Sequence, residues 1–134
     1  MANLIYDAAL SFGTLAAIAT QAFPNILNLG LKPGSSDRYP GKEFTSVERM
    51  TVDVCCSGPV GGTGITVTAE GSADGSAAWK EVGRNSFNLA DMQAGPCKVA
   101  ISPNNYQYLR VSVTAIGTYT DGTAEAYLNT YAGK

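Results

Sequence analysis

The sequence contains no histidine, which is the commonest general base at neutral pH. Without histidine, neither a Ser-His-Asp triad nor a Cys-His pair can form. Carboxylates could still form a catalytic pair, but they lie mostly on or beside the polar faces of predicted strands, where side chains are expected to be solvated. The carboxylates considered are Asp7, Glu43, Glu48, Asp53, Glu70, Glu81 and Glu125. Because no group of residues supports a catalytic pair, we predict that the chain is not an enzyme.

Charged residues are scarce: they make up 15% of the 134 residues, and the net charge is −2. A nucleic-acid partner would need a basic face, so none is predicted. A largely neutral, polar surface suits a protein that packs among copies of itself and its partners. The hydrophobic fraction of 45% indicates a globular chain.

There are only three cysteines, Cys55, Cys56 and Cys97. An odd number with two adjacent residues predicts no disulfide framework, and metal-ligand spacing is absent. We therefore expect buried, reduced thiols and assembly in a reducing compartment such as a bacterial cytoplasm. The glycine-rich segment 58–64 lacks the Gly-Lys-Ser/Thr of a phosphate loop, so no cofactor is predicted.

The amino-terminal residues lack the basic region of a signal peptide. The stretch from Leu4 to Ile18 is fairly apolar, but Asp7, Ser11 and Gly13 interrupt it, and it is too short to span a bilayer. We expect a soluble protein with no membrane partner and no recognisable secretion route.

Alternation of apolar and polar residues predicts several strands with one buried face. The strong candidates are 50–56, 65–70, 108–114 and 124–129, and the shorter ones are 23–31, 79–82, 87–89 and 98–102. Segment 58–64 is expected to be a flexible hairpin, and 74–76 and 121–123 are expected to be hairpin turns. This pattern predicts a single all-β domain over residues 1–134, a β-sandwich or barrel.

Residues 1–20 fit two descriptions, and both remain open. Apolar residues at helical spacing allow a short helix, and the same segment would also serve as an extended arm. The residues of this stripe are Leu4, Ile5, Ala8, Ala9, Phe12, Leu15 and Ala16. Segment 32–42 contains the pairs Pro33-Gly34 and Pro40-Gly41 and is expected to be a long loop facing a partner or solvent.

Aromatic and apolar residues supply the candidates for partner contacts. Tyrosine is enriched where a surface is half-buried, so the tyrosines fit a subunit interface as well as cross-strand packing. A sugar-stacking platform that uses Tyr106, Tyr108 or Trp79 is the weaker interpretation. The candidate interface residues are Leu4, Ile5, Tyr6, Phe12, Tyr39, Tyr106, Tyr108, Tyr127 and Tyr131.

Short motifs in a fixed order also match a known family. They are Leu4-Ile5-Tyr6-Asp7-Ala8, Asn28-Leu29-Gly30, the segment 68–76 closed by Trp79, Phe87-Asn88-Leu89-Ala90-Asp91 followed by Ala94-Gly95, Tyr108-Leu109-Arg110-Val111, and the segment 117–123. In this order the chain resembles the capsid cement (decoration) proteins of tailed bacteriophages, such as that of a Bordetella phage. The insert at 32–42 and the Cys55-Cys56 pair depart from the family pattern.

The resemblance implies a jelly-roll-like antiparallel β-sandwich that binds the outer surface of an icosahedral capsid. Such a protein clamps neighbouring major capsid subunits, forms a small homo-oligomer (a dimer or trimer), and belongs to the virion. The alternative from another class is a carbohydrate-binding β-sandwich module on the virion surface.

Overall fold

Two long strands, β4 and β7, form the centre of the fold. The computed structural model describes residues 11–28, 49–101 and 107–131. In chain order the elements are β1 (Ser11–Leu15), β2 (Gln21–Ala22), β3 (Leu27–Asn28), β4 (Arg49–Ser72), β5 (Lys80–Asn88), α1 (Leu89–Ala94), β6 (Cys97–Ile101) and β7 (Tyr108–Tyr131).

All seven strands belong to one antiparallel sheet. β4 and β7 pair with each other from Arg49↔Tyr131 to Ser72↔Tyr108. In the first half of the sheet, the start of β4 and the end of β7 are flanked by β6 and β1 respectively. In the second half, the end of β4 is flanked by β5, and the start of β7 is flanked by β2 and β3.

The two halves of the sheet cover one hydrophobic core. Alternate residues of β4 and β7 point inward in both halves, as the two-residue period of a strand requires. The buried apolar residues of these two strands are Val52, Val54, Ile65, Val67, Ala69, Leu109, Val111, Val113, Ala124, Ala126 and Leu128. β5 and β6 belong to different halves, yet a Cβ atom added to Gly83 would lie only 2.6 Å from the carbonyl oxygen of Ala100. The sheet therefore folds over itself, and the prediction of an all-β, sandwich-like fold is confirmed.

The bend of the sheet lies where β4 and β7 are rich in glycine. The pairing shifts register between Ser57 and Gly64, and Gly117 opposite Gly62 has a φ of +88°, a value that favours glycine. Segments 58–64 and 121–123 were expected to be hairpin turns, and this prediction is wrong because both lie inside long strands. Since the two segments run antiparallel to each other, ladder pairing continues on both sides of them, and their glycines bend the chain without reversing it.

Tyr119 fixes the geometry of the bend from inside. Its hydroxyl group donates a hydrogen bond to the carbonyl oxygen of Gly64 at 2.8 Å, and Sδ of Met92 is a second, more distant acceptor for the same proton at 3.4 Å. Its ring lies against Gly62, where an added Cβ would come within 2.2 Å of ring carbons. Burial raises the pKa of the Tyr119 hydroxyl, so it stays protonated and remains a donor.

The remaining elements agree in part with the sequence-based predictions. Residues 11–15 form a strand paired with β7, so the helical interpretation is wrong for this part of the amino-terminal segment. Candidates 79–82 and 87–89 are one strand, β5, and Leu89 begins the helix α1. This helix was missed, although Asn88 and Asp91 form a capping box that marks its start. The strand at 98–102 is confirmed as β6, with bounds Cys97–Ile101.

The expected turn at 74–76 is confirmed between β4 and β5. Oδ1 of Asp74 accepts hydrogen bonds from the backbone N–H groups of Ser76, at 2.9 Å, and Ala77, at 3.0 Å. The single proton of the Ser72 hydroxyl group has two acceptors, the carbonyl oxygen of Ala77 at 2.6 Å and Oδ1 of Asp74 at 3.1 Å. These bonds to the ionised carboxylate lower the pKa of Asp74.

Substitution of Gly62 by alanine tests the bend. The new methyl group would overlap the Tyr119 ring, so we expect Gly62→Ala to lower the free energy of unfolding by about 1–3 kcal/mol. Thr118→Ala, an exposed change in the same bend, is the control and is expected to stay within about 0.5 kcal/mol of wild type. Urea unfolding measures both, and equal stabilities would contradict the role assigned to Tyr119.

Acidification tests the Asp74 turn. Because the pKa of Asp74 is lower in the folded chain than in the unfolded one, its contribution to stability is present above the unfolded pKa and is lost as the pH falls through the folded pKa. Hydrogen exchange, corrected for its intrinsic pH dependence, should show that the Ser76 and Ala77 amides lose protection on acidification below about pH 4. In Asp74→Asn this pH dependence should disappear; if it persists, the carboxylate is not its source.

Candidate functional site

The outside of the bend is an exposed surface almost without charge. We define the bend surface as residues 16–20, 60–63 and 116–121, in which Asp121 is the only charged residue. Within it, Val60 and Ile116 are two of the three large hydrophobic side chains that are exposed in the described residues, with 53% and 43% of their surface accessible. A patch of this kind is typical of a surface that another molecule covers.

The three segments of the bend surface are in direct contact. Pairing of β4 with β7 places Val60 opposite Asp121 and Gly62 opposite Gly117. The segment after β1 joins them, because the Ala115 backbone N–H donates to Oγ1 of Thr20 at 3.1 Å. The surface is therefore a product of the bend, and no single stretch of sequence contains it.

Three of the four threonines of the bend surface, Thr20, Thr63 and Thr120, are hydrogen-bonded to the backbone of this chain. Besides the contact at Thr20, Oγ1 of Thr63 donates to the Ile116 carbonyl at 3.3 Å, and Oγ1 of Thr120 donates to the Val60 carbonyl at 3.4 Å. A polar group with an intramolecular partner loses less when water is removed. Covering this surface therefore costs less desolvation energy than its threonine content alone indicates.

Two shallow depressions flank Tyr119 on this surface. One has a volume of about 260 Å³ and is lined by Ile18, Ala19, Thr20, Ala115, Gly117, Thr118 and Tyr119. The other has a volume of about 120 Å³ and lies between residues 16–18 and 119–122. The first depression is lined by uncharged residues, and Asp121 is the one charged residue that lines the second.

The candidate interface residues from the sequence have different positions. Leu4, Ile5, Tyr6, Tyr39 and Tyr106, with the loop expected at 32–42, lie outside the described residues. Phe12 is fully buried in the core, so its side chain is not available to a partner. It was selected as part of an amino-terminal arm, but its strand is paired with β7 and its ring faces inward.

The other candidate tyrosines lie on β7. Tyr108 and Tyr127 are half-buried on opposite halves of the sheet. Tyr131 ends β7, and its side chain is outside the described part. None of these three residues belongs to the bend surface.

Of the three rings proposed as a sugar platform, that of Tyr106 lies outside the described residues, and those of Trp79 and Tyr108 are partly covered by this chain. The guanidinium carbon of Arg110 lies 4.2 Å from the centroid of the Trp79 ring, and Nε of Arg110 donates to Glu70 at 2.8 Å. A Cβ atom added to Gly75 would lie 3.1 Å from the Tyr108 ring, so the turn covers one face of that ring. Each ring thus has one face occupied by an intramolecular contact.

Asp53 is a fully buried carboxylate on the first half of the sheet. It accepts hydrogen bonds from Nζ of Lys98 at 2.7 Å, Oγ1 of Thr51 at 2.7 Å and Nδ2 of Asn129 at 3.2 Å. These donors come from β6, β4 and β7, so the carboxylate links three adjacent strands. Its role in this arrangement is to stabilise the sheet.

Over 11–28, 49–101 and 107–131, the structure holds no group of three or more His, Cys, Asp or Glu side chains arranged to bind a metal ion. Within the same ranges, no helix is both long and apolar enough to cross a membrane.

No protein-family model matches the sequence, and no curated protein matches it.

Sequence reasoning missed the bend surface because its segments are far apart in the chain. The signal was present in the composition: segments 16–20, 60–63 and 116–121 contain one charge among them. Only the pairing of β4 with β7 shows that these charge-poor segments meet.

Removal of the cation beside Asp53 tests the structural role of that carboxylate. We expect Lys98→Met to lower the free energy of unfolding by about 1–3 kcal/mol, because it leaves the buried Asp53 carboxylate without its partly exposed cation. The double variant Asp53→Asn/Lys98→Met should recover part of this loss. Lys80→Met, an exposed lysine on β5, is the control in urea unfolding, and a loss at Lys98 no larger than at Lys80 would contradict the assignment.

Proposed function

We propose that this chain is a structural virion protein that binds the outer surface of an icosahedral phage capsid and holds neighbouring major capsid subunits together. The bend surface is the observation that carries the proposal. It is largely exposed and nearly uncharged, and three of its four threonine hydroxyls already have partners in this chain, so it suits burial against a neutral protein surface. The resemblance of the sequence motifs to phage cement proteins gives the class of partner.

The chemistry of the described residues fits a binding role. A cementing protein needs a rigid domain and a surface that tolerates burial, and it needs no reactive group. Rigidity at the contact comes from Tyr119, whose hydrogen bonds join the bend to the core and to α1. Because a capsid repeats the same site many times, a small homo-oligomer of this chain would engage several sites together and gain avidity from modest individual contacts.

The proposed location is the outside of the capsid, after assembly in the bacterial cytoplasm. The reduced thiols agree with synthesis in a reducing compartment, and the low net charge agrees with a partner that is protein. Neither nucleic acid nor a membrane is part of this proposal. The carbohydrate-binding alternative gains no support from the rings of Trp79 and Tyr108, since each has a face covered by the chain itself.

Cosedimentation with expanded capsids prepared without this protein tests the proposal. Wild type should bind saturably, with a stoichiometry set by the capsid symmetry, and light scattering should show a dimer or trimer of the chain alone. Val60→Lys and Ile116→Lys should each weaken capsid binding at least tenfold, because each places a charge in the apolar contact.

Thr114→Lys is the matched control, since it adds the same charge to β7 two residues from Ile116 at an exposed position outside the bend surface. It should bind like wild type. Absence of saturable binding by wild type would overturn the proposed function. Equal losses in all three variants would show that the bend surface is not the contact.

A further inference from the structure

Two of the three cysteines face each other inside the first half of the sheet. Cys97 of β6 pairs with Val54 of β4, so Cys56, two residues further along β4, lies on the same inward face. Interaction between the two thiols shifts their pKa values in opposite directions. Cys55 is the next residue along the strand and faces the opposite side. All three residues are thiols in this structure.

The two facing thiols differ in access to solvent. Cys97 is 1% exposed, whereas Cys56 is only partly buried at the margin of the core. A soluble reagent therefore reaches Cys56 first, and Cys97 is placed to react with whatever has been attached to Cys56. This division into an accessible thiol and an adjacent buried thiol is typical of pairs that form a disulfide by exchange.

The two thiols also differ in pKa. Donation from Cys97 lowers the pKa of Cys56, since it stabilises the thiolate. The same hydrogen bond, together with burial, raises the pKa of Cys97. Once Cys56 is bonded to another sulfur, it no longer accepts this hydrogen bond as a thiolate, and the main cause that holds the proton on Cys97 is removed.

In the described part of the chain, ladder pairing on one side only eases the small movement of β6 that a disulfide requires. The sulfurs must approach to about 2.05 Å, which is closer than a thiol–thiol hydrogen bond. Within the described residues, β6 has five residues and pairs only with β4. A short strand paired on one side adjusts more readily than a central strand such as β4.

We propose that Cys56 and Cys97 are an oxidation site that forms an intramolecular disulfide by exchange with a low-molecular-weight disulfide such as oxidised glutathione. The Cys56 thiolate attacks one sulfur of oxidised glutathione, forms a mixed disulfide and releases one glutathione thiolate. Cys97 then loses its proton to solvent, and its sulfur attacks the sulfur of Cys56 and displaces the second glutathione. The protein loses two hydrogens, and one oxidised glutathione becomes two reduced ones.

The disulfide would join β6 to the position on β4 where the bend begins. It would constrain the unfolded chain between residues 56 and 97 and hold the base of the bend surface. One consequence rests on the proposed function: a virion protein would be a dithiol inside the host cell and would become cross-linked after release. The disulfide itself does not depend on capsid binding, so the two proposals fail separately.

The test uses the full chain, reduced, freed of reductant and incubated with oxidised glutathione near neutral pH. Intact mass should fall by about 2 Da, and non-reducing peptide mapping should find Cys56 joined to Cys97. The Tm should rise by about 10 °C. Accumulation of a stable glutathione adduct in wild type, a bridge or adduct at Cys55, or no reaction would each overturn the proposal.

Three variants separate the roles of the cysteines. Cys55→Ser should form the disulfide at the wild-type rate. Cys97→Ala should retain one glutathione on Cys56, and Cys56→Ser should react at neither position of the pair. Circular dichroism checks that the variants are folded, and the half-buried position of Cys56 makes Cys56→Ser the safer of the two pair variants. If either pair variant also lost about 2 Da on oxidation, as expected for wild type, the assignment would be overturned.

Discussion

The antiparallel pairing of β4 with β7 is the interaction on which the rest of the structure depends. It extends from one end of the described sheet to the other and continues on both sides of the glycine-rich bend. Every other strand pairs with one of these two. Because both strands bend at the same place, their inward side chains in the two halves meet in one core, and their outward backbone at the bend becomes the exposed bend surface.

Tyr119 connects this core to the surface above it. Its ring fills the space that Gly62 leaves open, and its hydroxyl group is bonded to the carbonyl oxygen of Gly64 and the sulfur of Met92. The bend is thus held by a half-buried side chain, while Val60 and Ile116 point outward and remain exposed. Cys56 and Cys97 lie just before the bend on the inner side, so the proposed disulfide would act on the same region.

Local pattern predicted the strands better than it predicted the connections between them. The alternating runs in β4 and β7 and the turn at Asp74 follow from side-chain period and Asx-turn chemistry. The glycine segment 58–64 was misread, because glycine permits a reversal and a bend equally well, and the choice depends on the partner strand. Phe12 was assigned to a surface for a similar reason: its apolar side chain indicates burial but does not specify in which interface.

The sequence by itself determined the all-β class, the inward faces of the strands and the low content of charged residues. Each of these depends on residue type and on the alternation of side chains along a strand. The tertiary structure alone decided that residues 16–20, 60–63 and 116–121 form one surface and that Cys97 meets Cys56. These contacts join residues about 40 to 100 positions apart. Their formation depends on strand register and on the common bend of two strands, which no local pattern contains.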